Sequence, residues 1–154
     1  MSRVALLDVN VLVALFEPEH VHHDAAHDWF ADARRSGWAT CPVTENGLVR
    51  VLTAHAGGHY RPADIVDRLR AFRQSGHHRF WPDTVSLCDS TLFVASYIKG
   101  HRQVTDIYLL GLATRTGGAL ATFDRNIPLG AVLGASRKSL LVIAPDATTP
   151  DATA

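Results

Sequence analysis

Four carboxylates occupy positions that their neighbours keep from water. Asp8 ends the apolar run Val4-Ala5-Leu6-Leu7, and Asp124 follows Leu120-Ala121-Thr122-Phe123. Glu45 precedes Leu48, Val49 and Leu52 at helical spacing, and Asp106 stands in the same way over Leu109, Leu110 and Ala113. A carboxylate in such a setting is desolvated unless donors or a cation meet it. Most other acids have ordinary places. Asp24, Asp28 and Asp32 form a wet helix face, Asp64 and Asp67 follow the helix-opening Pro62, and Asp89 has the position of a cap. If the four converge, they repel one another and are pushed toward protonation until a cation compensates them. With no His or Cys among them, the set selects a hard ion, Mg²⁺ or Mn²⁺, over zinc. The chemistry that such oxygen-only sites serve best is displacement at phosphorus.

Convergence requires a fold that brings distant segments to one edge. The apolar run at residues 3–8 is continuous and not alternating, as in a parallel strand covered on both faces. Further strands are expected at 38–41, 79–82, 119–123 and 140–143. Helices are expected at 10–16, at 20–35 with Val21, Ala25, Trp29 and Ala33 inward, and at 42–55, closed by Gly57-Gly58. Others are expected at 62–74 with Ile65, Val66, Leu69 and Phe72 inward, at 89–98, and at 105–116 with Thr105 as cap. Strands alternating with helices predict an α/β sandwich whose mostly parallel sheet has about five short strands. Ligands in such folds bind beyond the carboxyl ends of the strands, the edge that all four acids share.

The 154 residues suit one domain, with residues 1–144 folded and 145–154, only Pro, Asp, Thr and Ala, expected to be a disordered tail. Apolar residues make up 47% and charged ones 19%, which excludes a coiled coil or a disordered body. Fifteen basic and fifteen acidic residues cancel, so nucleic-acid binding must come from a local patch. No apolar run is long enough for a membrane span, and Asp8 and Asn10 interrupt the only stretch resembling a signal peptide, so a cytoplasmic protein is expected. Cys41 and Cys88 form no paired pattern and are expected to be reduced core residues.

The segments Leu6-Leu7-Asp8-Val9-Asn10-Val11-Leu12, Thr44-Glu45-Asn46-Gly47-Leu48-Val49-Arg50, Val104-Thr105-Asp106-Ile107-Tyr108-Leu109-Leu110 and Leu120-Ala121-Thr122-Phe123-Asp124-Arg125 resemble those of PIN-domain nucleases. Within that family they resemble the VapC toxins of bacterial toxin–antitoxin pairs. The resemblance implies a three-layer PIN sandwich and a metal-dependent endoribonuclease that leaves 5′-phosphate and 3′-hydroxyl ends. By it, Asp8, Glu45, Asp106 and Asp124 are the catalytic Mg²⁺ or Mn²⁺ ligands, and Asn10 and Thr122 support them. It further implies an RNA substrate, a homodimer and a VapB-type antitoxin. Some relatives carry a further acid where this chain has Asn126.

Six arginines against two acids lie between Arg50 and Arg79, and of these Arg50, Arg61, Arg68 and Arg73 are the candidates for RNA contact. His20, Asp24 and His27 have helical ligand spacing, but no fourth ligand converges with them, so a structural zinc site is disfavoured. An aspartyl-nucleophile phosphatase would need an acid at position 10, where Asn10 stands. The remaining alternative is a degenerate PIN module that binds RNA or protein without catalysis. Leu92, Phe93, Val94, Tyr97 and Ile98 are too many apolar residues for one face of a short helix, so some are expected at a dimer interface.

Overall fold

The computed structural model describes residues 3–54 and 59–145. The expected helix end at His55 and Gly57-Gly58, and the expected tail after Pro145, lie outside these. Five strands, β1 (Ala5–Leu7), β2 (Trp38–Thr40), β3 (His78–Phe80), β4 (Ala119–Thr122) and β5 (Leu140–Val142), form one sheet in the order β3-β2-β1-β4-β5. Every neighbouring pair is parallel, so the sheet goes beyond the expected "mostly". The chain builds outward from β1 in one direction, then returns to lay β4 on its other side. That reversal makes the gap between the carboxyl ends of β1 and β4 the topological switch point, where open α/β sheets place ligands.

Five α-helices, α1 (Val9–Phe16), α2 (His23–Ala33), α3 (Pro42–Ala54), α4 (Pro62–Arg73) and α5 (Val104–Thr116), complete three layers. The continuous apolar strands are explained by what lies on each face. Ala5, Leu7, Trp38 and Ala121 pack with residues of α1 to α4, whereas Leu6, Ala39 and Leu120 pack with Ile107, Leu109, Leu110 and Leu112 on α5 and near it. Both side-chain sets of each central strand are therefore buried. Gly47 lets α3 approach α1, since a Cβ there would come within 2.5 Å of Val9 Cγ2. Gly117, at φ 83°, ends α5 in the left-handed conformation that costs glycine least.

The segment expected to be helical at 89–98 is not. The Asp89 side chain accepts from the Thr91 backbone N–H and hydroxyl, closing a local turn, and only Ala95–Tyr97 form a single 3-10 turn. Leu92 and Phe93 are consecutive and both buried, with both backbone N–H groups donating to the Asp89 carbonyl in the turn. Phe93 bridges Val132, Val94 N donates to the Ala131 carbonyl, and the Phe93 ring occupies the space left by Gly111 on α5. Of the five apolar residues from which some were expected at an interface, Leu92 and Phe93 thus belong to the monomer core.

Smaller corrections have equally local causes. α2 begins at His23 and buries Ala26 and Phe30, one position away from the expected stripe; Val21 is exposed and Trp29 half-buried. Val66 on α4 is exposed while Ile65 and Leu69 are buried. Thr105 lies inside the first turn of α5, which a 3-10 turn at His101–Gln103 leads into, and so caps nothing. Cys41 is a free buried cysteine as expected, but Cys88 is exposed.

Candidate active site

Asp8 immediately follows β1 and is the N-cap of α1, with Oδ1 accepting from Val9 N at 2.7 Å. Its other oxygen, Oδ2, accepts from the buried Thr122 hydroxyl at 2.7 Å. That hydroxyl has one proton, given to Asp8, so it acts as acceptor toward Asn10 Nδ2 at 3.3 Å and Asp124 N at 3.1 Å. Asn10 returns a contact to the strand, accepting from Phe123 N through Oδ1 at 3.4 Å. Thr122 and Asn10 therefore fasten the ends of β1 and β4 together at the switch point and fix the Asp8 carboxylate between them.

Asp106, in the first turn of α5, faces the same gap. Burial, then the charges of Asp8 and Asp124, push its carboxyl up to about 7, and the protonated form donates to Asp124. Burial likewise raises Asp8, although the Thr122 and Val9 hydrogen bonds oppose the rise, and Asp124 adds to it. Three aspartates thus share one electrostatic field with more negative charge than the site carries comfortably. Excess of this kind, made only of oxygen donors, fits a hard divalent cation.

Glu45, in the first turn of α3, is held apart from this field. Thr40, the last residue of β2, donates its hydroxyl to Glu45 Oε2 at 2.6 Å, and Arg73 of α4 lies 3.3 Å from the same oxygen. Thr40 Oγ1 is also 2.7 Å from His78 Nε2. Since the hydroxyl proton goes to Glu45, His78 Nε2 carries the hydrogen in that contact. Burial, reinforced by Arg73, lowers His78 to about 4, so the ring is neutral at pH 7. Among the described residues, no three His, Cys, Asp or Glu side chains are gathered closely enough to hold a metal ion as they stand. The diversion of Glu45 to Arg73 and Thr40 accounts for its place outside the set.

With this geometry in place, comparison with known proteins is decisive. The PIN domain family model matches residues 5–131. Ribonuclease VapC44 of Mycobacterium tuberculosis is 41% identical over 140 residues, covering 90% of this chain and 99% of its own. Ribonuclease VapC38 of the same organism is 47% identical over 126 residues, 80% of this chain and 87% of its own, and ribonuclease VapC39 is 45% identical over 122 residues, 78% and 88%. The chain belongs to the VapC branch of the PIN-domain family.

For a VapC-type chain, the remaining candidates divide clearly. Of the four arginines chosen for RNA contact, Arg73 alone touches the acidic site. Arg68 is a packing strut: it donates to the Phe16 carbonyl at 2.8 Å and lies 4.9 Å over the Phe16 ring. Arg50 and Arg61 are exposed on α3 and just before α4. The histidines between 20 and 27 also have structural partners. His23 Nδ1 and His27 Nε2 meet the Ala14 and Leu15 carbonyls at 2.7 and 3.1 Å, covering the carboxyl end of α1, and His22 stacks on Phe123 with ring centroids 4.8 Å apart. Sequence reasoning missed Thr40 and its contact with His78. The signal was present, since Thr40 ends β2 as Thr122 ends β4, each a hydroxyl at a strand terminus near an acid.

Proposed function

We propose that this protein is an endoribonuclease toxin of a VapBC pair, in which Asp8, Asp106 and Asp124, joined by Glu45, hold a divalent cation. The observation that carries the reading is the crowding of three aspartates at the switch point, which leaves Asp106 protonated near neutrality in the absence of a cation. When bound, Mg²⁺ or Mn²⁺ supplies a Lewis acid that activates water and steadies the leaving oxygen of an RNA phosphodiester. Thr122 and Asn10 keep Asp8 in one orientation, a supporting role whose loss typically costs about 10- to 100-fold. Asp124 is aimed by its own Oδ1 contact with Asn126 N at 2.8 Å, which uses the backbone and not the Asn126 side chain. With water as nucleophile and the ribose 2′-hydroxyl a spectator, the bond to the 3′-oxygen breaks and the products carry 5′-phosphate and 3′-hydroxyl ends.

RNA and a VapB-type antitoxin are the partners that follow from this reading, with the protein acting in the cytoplasm as a homodimer. Among the described residues no helix is long and apolar enough to cross a membrane. Self-association draws on Tyr97 and Leu133, which stay exposed after Leu92 and Phe93 enter the core. The alternative of a binding module without catalysis loses support from the complete set of four acids. End analysis of RNA incubated with the purified protein tests the proposal. Products that accept ligation through a 5′-phosphate, absent when a chelator is present, are expected; 2′,3′-cyclic phosphate ends would refute hydrolysis by water.

A further inference from the structure

A cavity of about 400 Å³ opens beside Glu45, between α4 and the start of β3. Its walls are Glu45, Arg70, Arg73, Gln74 and His78, and Leu69 contributes to its apolar floor. The volume falls within the range of small-ligand sites, roughly 300–1,000 Å³. Arg73 stands where cavity and acidic site meet, bound to Glu45 at 3.3 Å, with its guanidinium 4.9 Å over the Phe80 ring. Its side chain is 37% exposed, against 18% for that of Glu45, so the guanidinium is the member of the pair that can reach solvent. Arg70 shares an exposed pair with Asp67 at 2.7 Å, a contact expected to contribute little.

We propose that this cavity is a subsite for one RNA nucleotide adjoining the cleaved bond, and that Arg73 exchanges Glu45 for the phosphate of that nucleotide. The chemistry of the walls selects such a ligand. Arg73 offers a planar fork suited to a phosphate, the Gln74 amide both donates and accepts as a base edge requires, and the floor at Leu69 takes the base face. The exchange also removes the cation that Glu45 is paired with among the described residues. Glu45 then keeps only the neutral Thr40 hydroxyl, a contact that leaves its other oxygen able to turn toward the three aspartates when RNA arrives, so that the acidic site is completed by its substrate. Arg73 gains the phosphate and Glu45 loses its cationic partner in the same event, which makes RNA binding and cation binding mutually reinforcing.

This inference rests on the ribonuclease reading, and its test keeps the two separable. Fluorescence anisotropy of a labelled single-stranded oligoribonucleotide of mixed sequence is followed against salt, with Asp106→Asn as the uncleaving parent. Adding Arg73→Ala is expected to weaken binding about tenfold. It should also reduce the slope of log affinity against log salt by about 0.7, the loss of one phosphate contact to a single strand. Adding Gln74→Ala should weaken binding with the slope unchanged. Adding Arg115→Ala, which removes an equal charge at the far end of α5 where it pairs with Asp89, should change neither. Equal slopes for the Arg73 and Arg115 variants, or unchanged affinity in the Gln74 variant, would overturn the subsite while leaving the ribonuclease intact. A parent that binds no RNA, together with a wild type that cuts none, would remove both.

Discussion

A carboxylate is costly wherever its neighbours exclude water, and that cost is what made Asp8, Glu45, Asp106 and Asp124 stand out among fifteen acids. Asp8→Asn, Glu45→Gln, Asp106→Asn and Asp124→Asn should each lower RNA cleavage by about 100-fold or more, the scale expected for direct ligands when supporting residues already cost 10- to 100-fold. Thermal denaturation should show the aspartate variants at least as stable as wild type, because a repelling charge is removed while the shape is kept. Thr122 is different in kind. Its hydroxyl serves three partners at once, so Thr122→Val strands buried groups and should cost about 1–3 kcal/mol in urea denaturation, and Thr122→Ser should recover most of it. The Thr40–His78 chain escaped the sequence because the likeness of Thr40 to Thr122 points only to the neighbouring acid, and a histidine 38 residues away gives no local pattern. Only the β2–β3 pairing joins them.

Among the elements, the central strands β1 and β4 were legible because apolar runs of three or four residues, bounded by helix signals, have few other uses in a chain this short. The 89–98 segment was not. Its apolar residues fit a helix in composition, but their packing is decided by residues 129–133, which no local pattern reveals, and by the bare backbone of Gly111 beneath Phe93. Gly111→Ala should therefore act on this segment through overpacking, costing about 1–3 kcal/mol. The urea midpoint should fall with the slope unchanged, and Phe93→Leu in the same chain should restore part of the loss. An unchanged midpoint would mean that the Phe93 ring is not seated on α5. The stripe of α2 was misjudged by one position for a related reason: Trp29 attracts the assignment by its size, while Phe30 reaches Trp38 and Phe72 in the aromatic core.

At the scale of the whole molecule, the acidic site makes stability depend on pH and on metal together. Asp106 has an ordinary value of 3.8 when unfolded and about 7 when folded, so between these the folded chain holds a proton that the unfolded chain has lost. Its contribution is complete below 3.8 and disappears as pH rises through about 7, and Asp8 is shifted in the same direction. In chelator, the Tm difference between wild type and Asp106→Asn should therefore widen against wild type as pH rises across this window. Saturating Mn²⁺ should reverse that trend, since the cation binds the ionised form. The central claim, that these carboxylates hold the cation with which RNA is cut, is tested most directly by cleavage rates of wild type and Asp106→Asn over a range of Mn²⁺ concentrations. Cleavage that rises with Mn²⁺ in wild type, vanishes in chelator and stays at background in a well-folded Asp106→Asn protein is predicted. Wild-type rates in that variant, or cleavage indifferent to metal, would contradict it.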